Sequence, residues 1–249
     1  MFVAPSIEYL ATTQDGLITT RQALGLGFTT SDIRTLTRRG QWSTLTRGVH
    51  LLDADLYRDG LCLRTWHRAA LLSQGPGSFL VASSALRHLG VAGLPAEVAA
   101  IEVAVTGGTS RLNRRTAPPD FEPSVEGPRV VVRQLVVPGA QLVLVDGLLA
   151  RRTAESLVDT GLNSDRPTAL SLLDSALHLS LITREELDLA VVAATGRRGV
   201  VELRKLARIA DGRAESPLES RVRLACIDGN VAPDDLQAHV YDEYGNLIA

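Results

Sequence analysis

Residues 16–52 read GLITTRQALGLGFTTSDIRTLTRRGQWSTLTRGVHLL, and the fold of the N-terminal part turns on how this stretch divides. Thr19 stands at a helix start with Gln22 three residues on, the spacing of a capping box. Gly25-Leu26-Gly27 stops that helix after two turns. The hydroxyl cluster Thr29-Thr30-Ser31 opens another helix, whose Ile33 and Leu36 turn inward. Arg34, Thr35, Arg38 and Arg39 lie on its other side, and Gly40 closes it. Beyond Gly40 the apolar period drops to two, through Trp42, Thr44, Val49 and Leu51. That pattern predicts a β-hairpin with strands near Gln41–Leu45 and Gly48–Leu52 and Arg47 at its tip. Upstream, Ile7, Leu10 and Ala11 recur at helical spacing, giving a short first helix that ends near Asp15-Gly16.

Short helix, turn, short helix and hairpin is the layout of a winged helix-turn-helix. In that arrangement the helix after Thr29 enters the major groove. Its first turn offers Thr29, Thr30 and Ser31 to phosphates or base edges. Arg34 and Arg38, four residues apart, reach guanine O6/N7 or phosphate, with Thr35 and Arg39 beside them. Arg47 touches the backbone from the wing. The plainer reading is a three-helix interaction domain whose arginines solvate its surface. Residues 1–52 carry five arginines against Glu8, Asp15 and Asp32, a local net charge of +2, whereas the whole chain is at −2. Of its 26 basic residues only Lys205 is a lysine. Such an arginine bias follows genome composition, so arginine number alone says little about phosphate binding.

The same residues carry a resemblance. Gly16, Thr19, Ala23, Gly27, Leu36, Gly40, Trp42, Leu45, Arg47, Gly48, Val49 and His50 match the N-terminal pattern of AbiEi-type antitoxins, which belong to type IV toxin–antitoxin and phage-defence systems. The match spans about residues 5–52. The resemblance implies a winged helix that binds double-stranded DNA and represses its own operon. It also implies, as further partners, a nucleotidyltransferase-type toxin and a second copy of the chain.

Outward from the head, the middle reads as α/β. Helices are expected over 61–74, 79–88, 153–159, 169–179 and 184–194, the last capped by Thr183 with Glu186 at the third helical position. Strands are expected over 99–105, 130–135 and 141–145. The segment 147–159, GLLARRTAESLVD, resembles a stretch found behind the same head in the AbiEi-like family, with Arg152-Thr153 departing from the family spacing and Asp159 near its end. His67 and His88 read as structural or surface histidines. Asp159 and Asp174 sit on apolar helices, where helix capping or interhelix hydrogen bonding is the expected role, rather than acid–base chemistry. Arg111, Arg114 and Arg115 fall in a proline-rich loop, expected to be solvated. Gly107-Gly108 lacks a phosphate-loop context, and no Gly-x-Ser-x-Gly elbow is present.

Residues 200–210 predict a basic amphipathic helix. The stretch Gly212–Cys226 begins a further helix, with Pro217 suited to its first turn and Leu218, Val222, Ala225 and Cys226 on its inward face. A strand over 237–241, a turn over 242–246 and a strand opening at Leu247 follow. The phrase from Ala214 to Ala249 resembles the start of the very-short-patch-repair-like nucleases of the PD-(D/E)xK superfamily. In that superfamily paired carboxylates hold Mg²⁺, which activates water against the phosphodiester. Glu215 and Glu219 match the helix acid as a partial catalytic site, while the later strand acids and the lysine have no counterpart in these residues. Read without the resemblance, both glutamates are charges favoured at a helix N-terminus.

Composition bounds the rest. The 249 residues are 45% apolar and 22% charged, which excludes disordered, collagen-like and disulfide-scaffold chains. No apolar run reaches the roughly 18 residues of a membrane span. The N-terminus has neither the basic nor the apolar region of a secretory signal, so the cytoplasm is the expected compartment. Cys62 and Cys226 read as reduced core thiols. No CxxC or HExxH motif supports a metal site, and no cofactor is expected, Mg²⁺ entering only with a nuclease.

The expected fold class is α+β. A winged helix-turn-helix at 1–55 precedes an α/β middle domain at 56–198 and an incomplete nuclease-like segment at 199–249. The expected function is a DNA-binding transcriptional regulator, with a DNA endonuclease as the alternative.

Overall fold

A computed structural model of the chain describes residues 6–52, 61–105, 126–135, 137–233, 235–236 and 242–247. The arginine loop at 111–115, the expected strand at 237–241 and residues 248–249 lie outside these. The fold is α+β: a small three-stranded sheet with helices, then a mixed five-stranded sheet, then a helical region. The chain forms two compact units, one of Met1–Ser84 with Ala96–Arg151, the other of Ala85–Pro95 with Arg152–Ala249.

In the first unit, α1 (Ile7–Thr12), β1 (Leu17–Thr19), α2 (Thr20–Gly25), α3 (Thr30–Arg38), β2 (Trp42–Thr46) and β3 (Val49–Leu52) follow in order. The sheet order is β1-β3-β2, all antiparallel. Strand β1 was not expected from sequence. Three residues are too short to show a period, and Leu17↔Leu51 pairing across 34 positions fixes them. Ile18, Ala23, Ile33 and Trp42 form the core under the helices, with Phe28, Leu36 and Leu52 packed on it.

The same unit continues with α4 (Leu63–Gln74) and a sheet of order β6-β5-β4-β8-β7. Its strands are β4 (Ser78–Leu80), β5 (Ala100–Val105), β6 (Arg129–Gln134), β7 (Leu142–Val145) and β8 (Leu148–Arg151). The single helix expected over 79–88 is corrected: Ser78–Leu80 is a central strand, and α5 (Ala82–His88) starts only after Val81. Phe79, Leu80 and Val81 are all fully buried. Burial on both faces gives a continuous apolar run, which periodicity cannot tell from a buried helix. Strand β8 was also unexpected. It pairs with β7 through the two-residue turn Asp146-Gly147, both at positive φ (47° and 72°), the geometry of a tight hairpin.

The second unit holds α6 (Thr153–Gly161), α7 (Arg166–His178), α8 (Arg184–Ala193), α9 (Val200–Ile209) and α10 (Pro217–Asp228). Local signals fix most boundaries. Thr183 and Glu186 form the expected capping box of α8, and Ser216 caps α10 with Pro217 behind it. Leu170, Leu173, Leu187, Leu203, Leu206 and Leu224 belong to one core, joined by Leu86 and Val91 from the 85–95 segment. The inward face expected for α10 is corrected. Leu218 and Val222 are 69% and 54% exposed, and Ala225 is exposed too. The helix buries Ser220, Arg223 and Leu224 instead. The cause is Asp174 on α7, fully buried, whose carboxylate needs a counter-ion: Arg223 lies 2.5 Å away. The thiols are corrected as well, since Cys62 is exposed at the N-cap of α4 and Cys226 is half-buried.

Candidate nucleic-acid interface

Helix α3 is held by its ends. Thr29 N–H donates to Asp32 Oδ2 at 2.8 Å, and Asp32 N–H donates back to Thr29 Oγ1 at 3.1 Å. The Thr29 hydroxyl also donates to Asp32 (2.7 Å), which keeps the Asp32 carboxyl below its usual range. Gly40 follows at φ 73°, and Thr37 Oγ1 donates to the carbonyl of Ile33. Ile33 is buried against Trp42 and Ile18. The helix thus presents the opposite side outward. Ser31, Arg34, Thr35 and Arg38 share that side at spacings of three, one and three, with Thr30 at its edge. Thr35 is half-buried and the others are exposed. No hydrogen bond or ion pair to a described residue engages the guanidinium of Arg34, Arg38, Arg39 or Arg47.

The remaining expected site residues fall elsewhere. Thr29 is committed to the cap. Arg39, the C-cap residue, lies on the flank of α3, where Leu26, Phe28, Asp32 and Leu36 line a shallow depression of about 480 Å³. Arg47 is exposed at the tip between β2 and β3, next to Gly48 at φ 72°. That tip is tied to the first turn of α2, because Thr20 N–H donates to the Gly48 carbonyl at 2.9 Å. Arg21, exposed one residue further along α2, is therefore part of the same basic rim, although its position in a short helix gave no signal in the sequence. Of the three acids of the head, Asp15 is taken up by Arg68 of α4 at 2.5 Å.

His50 braces this assembly from beneath. Its ring nitrogens lie 2.9 Å from Thr20 Oγ1 on α2 and 3.0 Å from Thr44 Oγ1 on β2. Its ring meets Trp42 at 5.8 Å between centroids, and Trp42 meets Phe28, just ahead of α3, at 5.6 Å. Burial lowers the His50 pKa, so the ring is neutral at pH 7.

At the other end of the chain, Glu219 serves the N-terminus of α10. Glu219 Oε1 accepts from the Ser216 hydroxyl (2.8 Å) and Oε2 from Glu215 N–H (3.0 Å). Both carboxylate oxygens are occupied by capping, and Glu215 is exposed. Among the described residues no group of three or more His, Cys, Asp or Glu is placed to hold a metal ion. The turn at 242–246 is as expected, with Asp242 N–H donating to the Asn246 carbonyl at 2.9 Å. Asp174 of α7 makes the interhelix interaction expected of it, with Arg223 of α10, whereas Asp159 of α6 pairs at 2.8 Å with Arg197 in the connection between α8 and α9. His67 is buried and His88 half-buried. No described helix is long and apolar enough to cross a membrane.

No family model matches the chain. Over 109 residues, 44% of its length, it is 40% identical to the uncharacterized Mycobacterium tuberculosis proteins Rv2248 (strain H37Rv) and MT2308 (strain CDC 1551). The matched segment spans 40% of the length of those curated relatives. The crystal structure of the Rv2827c protein from Mycobacterium tuberculosis is similar at 18% identity, covering 94% of this chain and 86% of that one with a TM-score of 0.44.

Proposed function

We propose that the head is a double-stranded DNA-binding module, and that the chain is a transcriptional regulator of the AbiEi-antitoxin kind that acts on its own operon. The observation that carries the reading is the outward face of α3. Arg34 and Arg38 stand on it with Ser31 and Thr35 beside them, no described carboxylate neutralises either arginine, and Ile33 anchors the helix from behind. Element order supports the same reading, since α2, α3 and the β2–β3 wing follow one another as a winged helix-turn-helix requires. In this reading Arg34 and Arg38 read bases or grip phosphates, and Arg47 and Arg21 grip the flanking backbone. A nucleotidyltransferase-type toxin, as in the family, is the protein partner to look for.

The test is fluorescence anisotropy with labelled duplex from upstream of the gene, against a scrambled duplex, at two salt concentrations with Mg²⁺ present. Selective binding that weakens with salt and leaves the DNA uncut is the expected outcome. Equal binding to both duplexes overturns the regulator reading. Cleavage that is lost on Glu219→Ala replaces it with the endonuclease.

A further inference from the structure

Helices α8 and α9 are consecutive, pack on each other, and are joined by the short connection 194–199, so they run antiparallel as a hairpin. In such a hairpin, residues equally far from the connection lie at one level. Val192 and Val201 share the level nearest the connection. Asp188 and Lys205 share the next, and Glu185 and Arg208 the one beyond. All six side chains are exposed, Val192 and Val201 at 62% and 65%. Glu185 and Val192 on α8, and all three residues on α9, stand on the side away from the buried residues, which are Leu187 and Val191 on α8 and Val200, Leu203, Leu206 and Ala207 on α9, while Asp188 stands on the exposed flank of α8. Leu189, 68% exposed, adds to the apolar part of the patch. The outer face of α8 is thus acidic below an apolar end, and that of α9 is basic below an apolar end.

The acids and bases at matching levels are not paired with each other. Lys205 reaches Glu202 of its own helix at 3.3 Å, and Arg208 and Asp188 make no ion pair with a described residue. A two-fold axis lying in the face of the patch and parallel to the helices sets α8 of one chain on α9 of the other. It keeps every level in register. Val192 then meets the partner's Val201, Asp188 the partner's Lys205 and Glu185 the partner's Arg208, each pairing occurring twice. An isologous interface requires such self-complementarity, and charge matching of this kind fixes register and excludes wrong partners. We propose that the α8–α9 face is the dimer interface of this protein and that its partner is a second copy of the chain. The proposal does not depend on the DNA-binding reading.

The full chain tests it by light scattering behind a sizing column, over a concentration series and at low and high salt. Wild type is expected to run at twice the chain mass and to dissociate more readily as salt rises. The double variants Glu185→Lys/Asp188→Lys and Lys205→Glu/Arg208→Glu each set like charges against like. Each is expected to weaken the dimer about a hundredfold or more. Mixed in equal amounts, the two variants are expected to form a heterodimer, since the basic α8 of one meets the acidic α9 of the other. That rescue separates loss of the interface from loss of the fold. A wild-type monomer at every concentration overturns the proposal. So does a dimer that both variants leave intact, or two monomeric variants that do not associate on mixing.

Discussion

His50 carries a consequence for the pH dependence of the head. Its ring is buried, bonded on both sides to threonine hydroxyls of separate elements, and its pKa is lowered by burial. As pH falls, the unfolded chain takes up the histidine proton before the folded one. The stability this residue contributes is therefore complete above the ordinary histidine value and is lost as pH drops below it, by at most about 1.4 kcal/mol per pH unit. Chemical denaturation at pH 7.5 and 5.5 should show a steeper loss for wild type than for His50→Gln, and equal slopes would remove His50 as the cause. At the same scale, Arg34→Ala with Arg38→Ala should abolish selective DNA binding. It should also flatten the salt dependence by about 0.9 in the log–log slope for each phosphate no longer neutralised. Anisotropy titrations at several salt concentrations read both quantities, and unchanged affinity would move the interface away from α3. Neither arginine was hard to find, because the 3.6-residue period and the threonine cap put both opposite Ile33 in the sequence itself. Arg21 was missed because its place in the rim comes from the hydrogen bond between Thr20 and Gly48, 28 positions apart.

Elements differ in how far their own residues specify them. Caps are local: Thr19 with Gln22, Thr183 with Glu186 and Ser216 with Glu219 each work within four positions, and the first two were legible as capping boxes. The orientation of α10 is not local. Its apolar stripe, Leu218, Val222 and Ala225, has the spacing of a buried face, yet the helix turns the other way to bring Arg223 to Asp174. The carboxylate also accepts from Asp211 N–H at 2.7 Å, and Arg223 donates to the carbonyl of Ile209. Burial pushes the Asp174 carboxyl up while these donors pull against it. Removing one partner strands the other, so Arg223→Met should cost about 3–5 kcal/mol in urea unfolding. The double variant Asp174→Leu/Arg223→Met should recover most of that loss. If both proteins are equally unstable, α10 is oriented by something other than this pair. Among strands, β5 and β6 were legible from their alternation or β-branched runs, whereas β4 was read as helix because burial on both faces erased its period.

At the scale of the whole chain, the segment 85–95 crosses from one compact unit to the other and back. Leu86 lies on that segment, fully buried in the helical core with Leu170, Leu173 and Leu203. Leu86→Ala should therefore destabilise the helical unit, by about 2–5 kcal/mol. Both tryptophans, Trp42 and Trp66, sit in the first unit, so fluorescence reports that unit while far-UV circular dichroism is weighted to the helices. The dichroism transition of Leu86→Ala should shift to lower denaturant by more than the fluorescence transition. Coincident shifts would mean that the two units unfold as one.

The sequence alone determined the α+β class, most helix starts and stops, the hairpin after Gly40 and the outward arginines of α3. Each of these rests on caps, turn glycines or a period, interactions that close within a few residues. Tertiary structure decided the rest: that Leu17–Thr19 is a strand, that Phe79 and Leu80 are strand and not helix, and which face of α10 is buried. Most of these depend on partners 20 to 50 positions away. A residue's own pattern states only that it has something to bury, whereas the balance between an apolar stripe and a buried charge is settled by what the rest of the chain places against it.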